Sequence, residues 1–82
     1  MAASASSPGP NQVTITGDPE DTITSATVDP STGVMVAISS DSLTCNITNL
    51  ASGSSYTITV VINNQEYVYS VSVAADGTVT FN

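Results

Sequence analysis

The side chains that could do chemistry in this chain are few. Asp18, Glu20 and Asp21 crowd one short stretch around Pro19. Carboxylates that close offer oxygen ligands for a hard cation such as calcium, or an acid/base pair for glycoside hydrolysis. Asp41 or Asp76 could add a further oxygen from elsewhere in the chain. The spacing lacks the alternating Asp/Asn and central Gly of a calcium loop, and an acidic turn is ordinarily just solvated. We carry Asp18, Glu20 and Asp21 forward as candidate calcium ligands and expect no cofactor.

Beyond these carboxylates the chemistry thins out quickly. The sequence has no His, Lys or Arg, which removes the usual general base, Schiff-base chemistry and any Ser/His/Asp triad. Cys45 is the single cysteine, so it forms no intrachain disulfide, and no basic neighbour in sequence activates it. It sits in an apolar alternation and reads as a small buried hydrophobe. A chain of 82 residues folded mostly as strands offers no deep cleft for a carboxylate pair. The expectation is a protein that is not an enzyme.

Charge excludes more. Seven acidic residues against no basic side chain give a formal charge of −7. No side-chain ion pair can form, so stability has to come from packing and sheet hydrogen bonds. Nucleic-acid phosphates have nothing to neutralise them, and anionic membrane surfaces are disfavoured for the same reason. No apolar run is long enough to span a bilayer, and a soluble chain with no membrane insertion is expected. A basic protein surface remains a permitted partner.

The elements that hold these residues are strands. Residues 1–11 are Ala, Ser, Pro and Gly without periodicity, an extended arm or flexible tail that, if ordered, needs a neighbour to lie against. They have neither a basic segment nor an apolar core, so no signal peptide is expected. Residues 12–82 are expected to form one domain. Val13 and Ile15 alternate with threonines and stop at Gly17-Asp18-Pro19. Residues 22–28 form a strand in which Ile23 and the pair Ala26/Val28 fall on opposite faces, so a bulge near Ser25 is predicted. The stretch 29–33 predicts a turn with Pro30 in its second position and Gly33 closing it. Residues 34–39 carry apolar side chains on both faces, which predicts a central strand or an outer face covered by a partner. Leu43, Cys45 and Ile47 alternate with Thr44, Asn46 and Thr48 in a half-buried strand. The sequon Asn46-Ile47-Thr48 falls out of that alternation and is set aside. Residues 56–62 and 65–74 form strands joined at Asn63-Asn64, a pair suited to positive φ. Tyr67 and Tyr69 share a face with Val71 and Val73 and are read as core filling. Asp76-Gly77 predicts another tight hairpin before a last strand, 78–81. These elements total about seven strands, no helix, and an all-β antiparallel sandwich.

The stretch Leu50-x-x-Gly53-x-x-Tyr56-x-Ile58-x-Val60 resembles the corner between strands E and F of fibronectin type III and related immunoglobulin-like domains. The resemblance covers residues 12–74. It implies an immunoglobulin-like antiparallel β-sandwich in which Leu50, Gly53 and Tyr56 form a structural corner, the tyrosine hydroxyl bonding to backbone upstream. The chain departs from the pattern in three ways. It has no Trp, it shows one clear strand where the family often shows two before strand E, and it carries an added strand at its end.

Small decoration proteins of bacteriophage capsids are similar to this chain in class. The resemblance implies a non-enzymatic structural module displayed on the virion surface and made in the host cytoplasm. Its partners would be the major capsid protein or sister subunits, with a host-surface glycan or protein as a further contact. The chain beginning at Met1 is then expected to be a complete small protein. Pro8 and Pro10 in the arm, and Met35 and Ala37 on one face of their strand, are the candidate partner-docking residues. The alternative is a carbohydrate- or protein-binding module of a bacterial extracellular or adhesin-like protein. A subunit that polymerises end to end is a third reading.

Overall fold

A computed structural model describes residues 4–82; the first three residues of the arm lie outside the described residues. The chain forms eight strands: β1 (Ser4–Ser6), β2 (Val13–Thr16), β3 (Ile23–Asp29), β4 (Met35–Ile38), β5 (Thr44–Thr48), β6 (Ser55–Ile62), β7 (Gln65–Val73) and β8 (Val79–Phe81). They make two four-stranded antiparallel sheets, β1-β2-β5-β4 and β3-β6-β7-β8. No helix occurs among the described residues.

Period-2 patterning explains how the sheets meet. Val13, Ile15, Cys45 and Ile47 from the first sheet and Ile58, Val60, Ile62 and Val71 from the second are fully buried, and Ile23, Val28, Leu50, Tyr56 and Val73 complete the core. Burial of each such Val or Ile is worth about 1.5–3 kcal/mol. In a chain that cannot form a side-chain ion pair, this apolar layer is the main stabilising term.

The bulge in β3 is present: Ile23 faces Ile62, the register shifts, and Ser25 faces Val61. It lets Ile23 and Val28 both enter the core although their parity is opposite. The β6–β7 hairpin turns through Asn63 and Asn64, both with positive φ, 53° and 66°. That is the type I′ geometry that matches strand twist.

Four expectations change. The arm supplies a strand, β1, whose neighbour is β2: Ala5 lies opposite Ile15 and packs on the core. Strand β4 is not central. It is the edge of the first sheet, bonded only to β5, and its apolar residues on both faces are therefore half-exposed or exposed. Pro30 precedes its turn instead of occupying it, since Val34 N–H bonds to Ser31 O at 3.1 Å and Gly33 takes the third position at φ 73°. The Asp76-Gly77 pair is not a two-residue loop either. Gly77 N–H bonds to Ala74 O at 2.9 Å and Ala74 N–H to Thr78 O at 2.8 Å, so Ala75 and Asp76 make the turn. Gly77 then sits at φ 93°, the left-handed residue that closes a longer hairpin.

Candidate functional site

One end of the molecule gathers acid. The loop 17–22, the β4–β5 loop and the β6–β7 hairpin are tied together there by Gly17 N–H to Leu43 O at 2.9 Å, Ile23 N–H to Ser42 O at 2.8 Å and Asn63 N–H to Thr22 O at 3.0 Å. These segments carry Asp18, Glu20, Asp21 and Asp41, with Glu66 beside the hairpin.

Within this end the three candidate calcium ligands separate. Asp21 is buried and both its oxygens are engaged, Oδ2 by Asp18 N–H at 2.9 Å and Oδ1 by Asn63 Nδ2 at 2.8 Å. Asp21 thus works as a clasp between its own loop and the hairpin. Glu20 is exposed and Asp18 half-exposed. Among the described residues no three carboxylate, His or Cys side chains converge as a metal-binding group. Asn63, the clasp's partner, had no signal in sequence because it lies far along the chain.

Asp41 behaves differently. Its Oδ1 accepts Ser39 Oγ–H at 2.5 Å and Leu43 N–H at 3.1 Å, and these bonds hold the carboxyl below its ordinary pKa. A fixed negative charge therefore sits at the end of β4. Cys45 is enclosed between β2 and β4, and burial pushes its thiol pKa up, away from the reactive thiolate.

The opposite end holds the corner. Tyr56 is buried, and its hydroxyl accepts Ala51 N–H at 2.8 Å. Gly53 stands at φ 80° with open space around its Cα, so the position needs glycine for its backbone angle and not for room. Its N–H bonds to Val73 O at 2.7 Å, which fastens the corner to the end of β7. Leu50 fills the core below.

The arm fastens to this corner. Asn11 N–H bonds to Gly77 O at 2.9 Å, and its Nδ2 reaches Leu50 O at 2.7 Å and Ser52 Oγ at 3.0 Å. Ser7 Oγ lies 2.8 Å from both Gly9 O and Gln12 O and shares its one hydroxyl hydrogen between them, which folds residues 7–12 into a compact turn. Ser7, Gly9 and Pro10 line an open groove of about 340 Å³ against Thr78 and Val79 of the β8 hairpin. Pro8 and Pro10 are both exposed.

The remaining surface of note is the outer face of the first sheet. The buried residues alternate with Ser4, Ser6, Thr14, Thr16, Thr44, Asn46, Thr48, Met35 and Ala37, so that face bears no charge. Thr14 and Asn46 are joined across it at 2.9 Å. Met35, 65% exposed, and Ala37 stand at its β4 border, and Val36 on the inward side of that strand is still 40% exposed. In the second sheet Tyr67 and Tyr69 pack against the core, while Val68 is exposed.

No family model matches the chain, and neither a curated protein nor a solved structure does.

Proposed function

We propose that the chain is a non-enzymatic, immunoglobulin-like structural module that decorates the surface of a virus particle, a bacteriophage capsid. The observation that carries this reading is the segregation of charge. The carboxylates lie in loops or at strand ends, whereas the outer face of the first sheet is neutral and bordered by apolar β4. A neutral face docks without stripping water from buried charges, a step that costs several kcal/mol per ion. The acidic end is then left in solvent, where net charge keeps displayed copies apart.

The immunoglobulin-like part is supported by strand order. With β1 as strand A, the sheets read A-B-E-D and C-F-G with β8 added, which is the constant-type arrangement. On this lettering residues 13–16 take the place of strand B, and two strands, β3 and β4, precede strand E. Tyr56 bonding back to Ala51 occupies the place of the family's tyrosine corner. The capsid as partner rests on likeness of class: a small acidic sandwich without catalytic groups. The sugar-binding alternative is less well supported, because Tyr67 and Tyr69 pack against the core and Tyr67 Oη–H is engaged by Gln65 Oε1 at 2.9 Å.

Co-sedimentation of the purified chain with capsids from its source tests the proposal. Saturable binding at a fixed number of copies per capsid is expected. A chain that stays in the supernatant with every capsid from that source overturns it.

A further inference from the structure

The four sheet edges are not equivalent. Strands β1 and β8 are three residues long, and residues 7–10 of the arm lie alongside the start of β8. Strand β3 is interrupted by its bulge. Short strands, covering loops and bulges are the standard protections of an edge. Strand β4, at four residues only one longer than β1 and β8, has neither cover nor bulge, and it carries no charge and no proline: it reads Met-Val-Ala-Ile.

Its hydrogen-bonding direction follows from the ladder. Ser39 N–H bonds to Thr44 O at 2.8 Å, and the register continues as Ala37 opposite Asn46 and Met35 opposite Thr48. In an antiparallel pair, bonded and non-bonded residue pairs alternate. Val36 and Ile38 therefore turn their N–H and C=O groups away from β5, and among the described residues nothing accepts or donates to them. An edge with outward amide and carbonyl groups, flanked by Met35 and Val36, is the geometry onto which an added strand pairs. The methionine's flexible thioether suits an apolar partner of variable shape.

We propose that β4 captures an extended segment of a basic partner protein, apolar at alternate positions and flanked by Lys or Arg, which adds as a fifth strand to the first sheet. This rests on the reading of the chain as an interaction module. Charge decides against a second copy as occupant. Asp41 stands fixed at one end of β4, and two copies paired there bring together chains of −7 with no basic side chain to offset them. A segment with flanking cations meets Asp41 favourably and shields the repulsion.

The test titrates the folded chain with two short synthetic peptides of alternating Val and Thr, one flanked by lysines and the other by glutamates, read by amide NMR shifts and hydrogen exchange. The lysine peptide is expected to slow exchange at Val36 and Ile38 and the glutamate peptide to leave them unchanged. Val36→Pro removes one outward N–H without touching the β4–β5 ladder, and it should weaken the lysine peptide by about tenfold or more. Met35→Lys, a change at an exposed site, should weaken it as well and serves if the proline variant unfolds. Equal response to both peptides, perturbation at another edge, no response at all, or β4 protection by self-association without peptide would each overturn the proposal. Capsid binding separates the two readings. If the wild type and Val36→Pro bind capsids equally well and neither peptide slows exchange at Val36 and Ile38, the edge proposal fails and the decoration reading stands; peptide capture without capsid binding gives the reverse.

Discussion

Asn11 and Leu50 hold each other by two hydrogen bonds, Leu50 N–H to Asn11 O at 3.2 Å and Asn11 Nδ2 to Leu50 O at 2.7 Å. The contact joins the end of the arm to the start of the corner. It makes residues 4–11 part of the fold, with β1 on one side of Asn11 and the β7–β8 turn on the other. Asn11 also adopts φ 60°, a left-handed angle that asparagine tolerates better than other side chains.

Asn11→Ala therefore loses two side-chain hydrogen bonds and keeps an unfavourable backbone angle. We expect a loss of about 1–2 kcal/mol in urea unfolding, with Asn11→Gly falling between it and the wild type because glycine relieves the angle. An alanine variant as stable as the wild type would mean that the arm is not fastened here.

Tyr56→Phe leaves the ring in the core and removes only the acceptor of Ala51 N–H. The expected cost is about 1 kcal/mol, or roughly 4–8 °C in Tm for a domain of this size. An unchanged melting curve would show that the corner bond contributes nothing.

The glycines at positive φ should separate by their surroundings. Gly53→Ala meets open space and suffers only the backbone penalty, about 1 kcal/mol. Gly77→Ala adds a collision, since its Cβ would come within 2.7 Å of Pro10 Cβ and crowd the Asn11 carboxamide. It should cost more than Gly53→Ala in the same assay and speed hydrogen exchange at Asn11. Equal costs at the two sites would contradict the docking of the arm on this turn.

These residues also show what the sequence made legible. Alternation marked β2, β5, β6 and β7 because each places buried side chains at every second position, and the clash of parity between Ile23 and Val28 marked the bulge. The strand β1 was hidden because Ser-Ala-Ser offers a single small inward residue, Ala5. Of the two readings of β4, the central strand fails for a physical reason: apolar residues on both faces usually signal enclosure, and here they line a sheet edge. The role of Asp21 as a clasp is not legible in sequence because its partner Asn63 is distant, so nothing local shows that both its oxygens accept hydrogen bonds. The contact between Asn11 and Leu50 was invisible for the same reason.

Acid should weaken the loops that Asp41 and Asp76 organise. Hydrogen bonds from Ser39 and Leu43 lower the pKa of Asp41, and bonds from Thr78 lower that of Asp76. A depressed folded-state value means that the unfolded chain takes up protons first as pH falls. The stabilisation is present above the ordinary carboxylate value of 3.8 and is lost as pH falls through the lower folded values. Asp41→Asn and Asp76→Asn should each flatten the decline in stability between about pH 5 and about pH 2. A variant that follows the wild-type decline would place the acid sensitivity elsewhere.

In the proposed decoration role the neutral face of the first sheet docks and the acidic end stays in solvent. Hydrogen exchange of the chain bound to capsids from its source measures this most directly. Slowed exchange is expected across residues 35–38 and 44–48, with residues 17–22 and the Asn63-Asn64 hairpin exchanging as in the free protein. Slowing confined to the acidic end, with 35–38 unchanged, would contradict it.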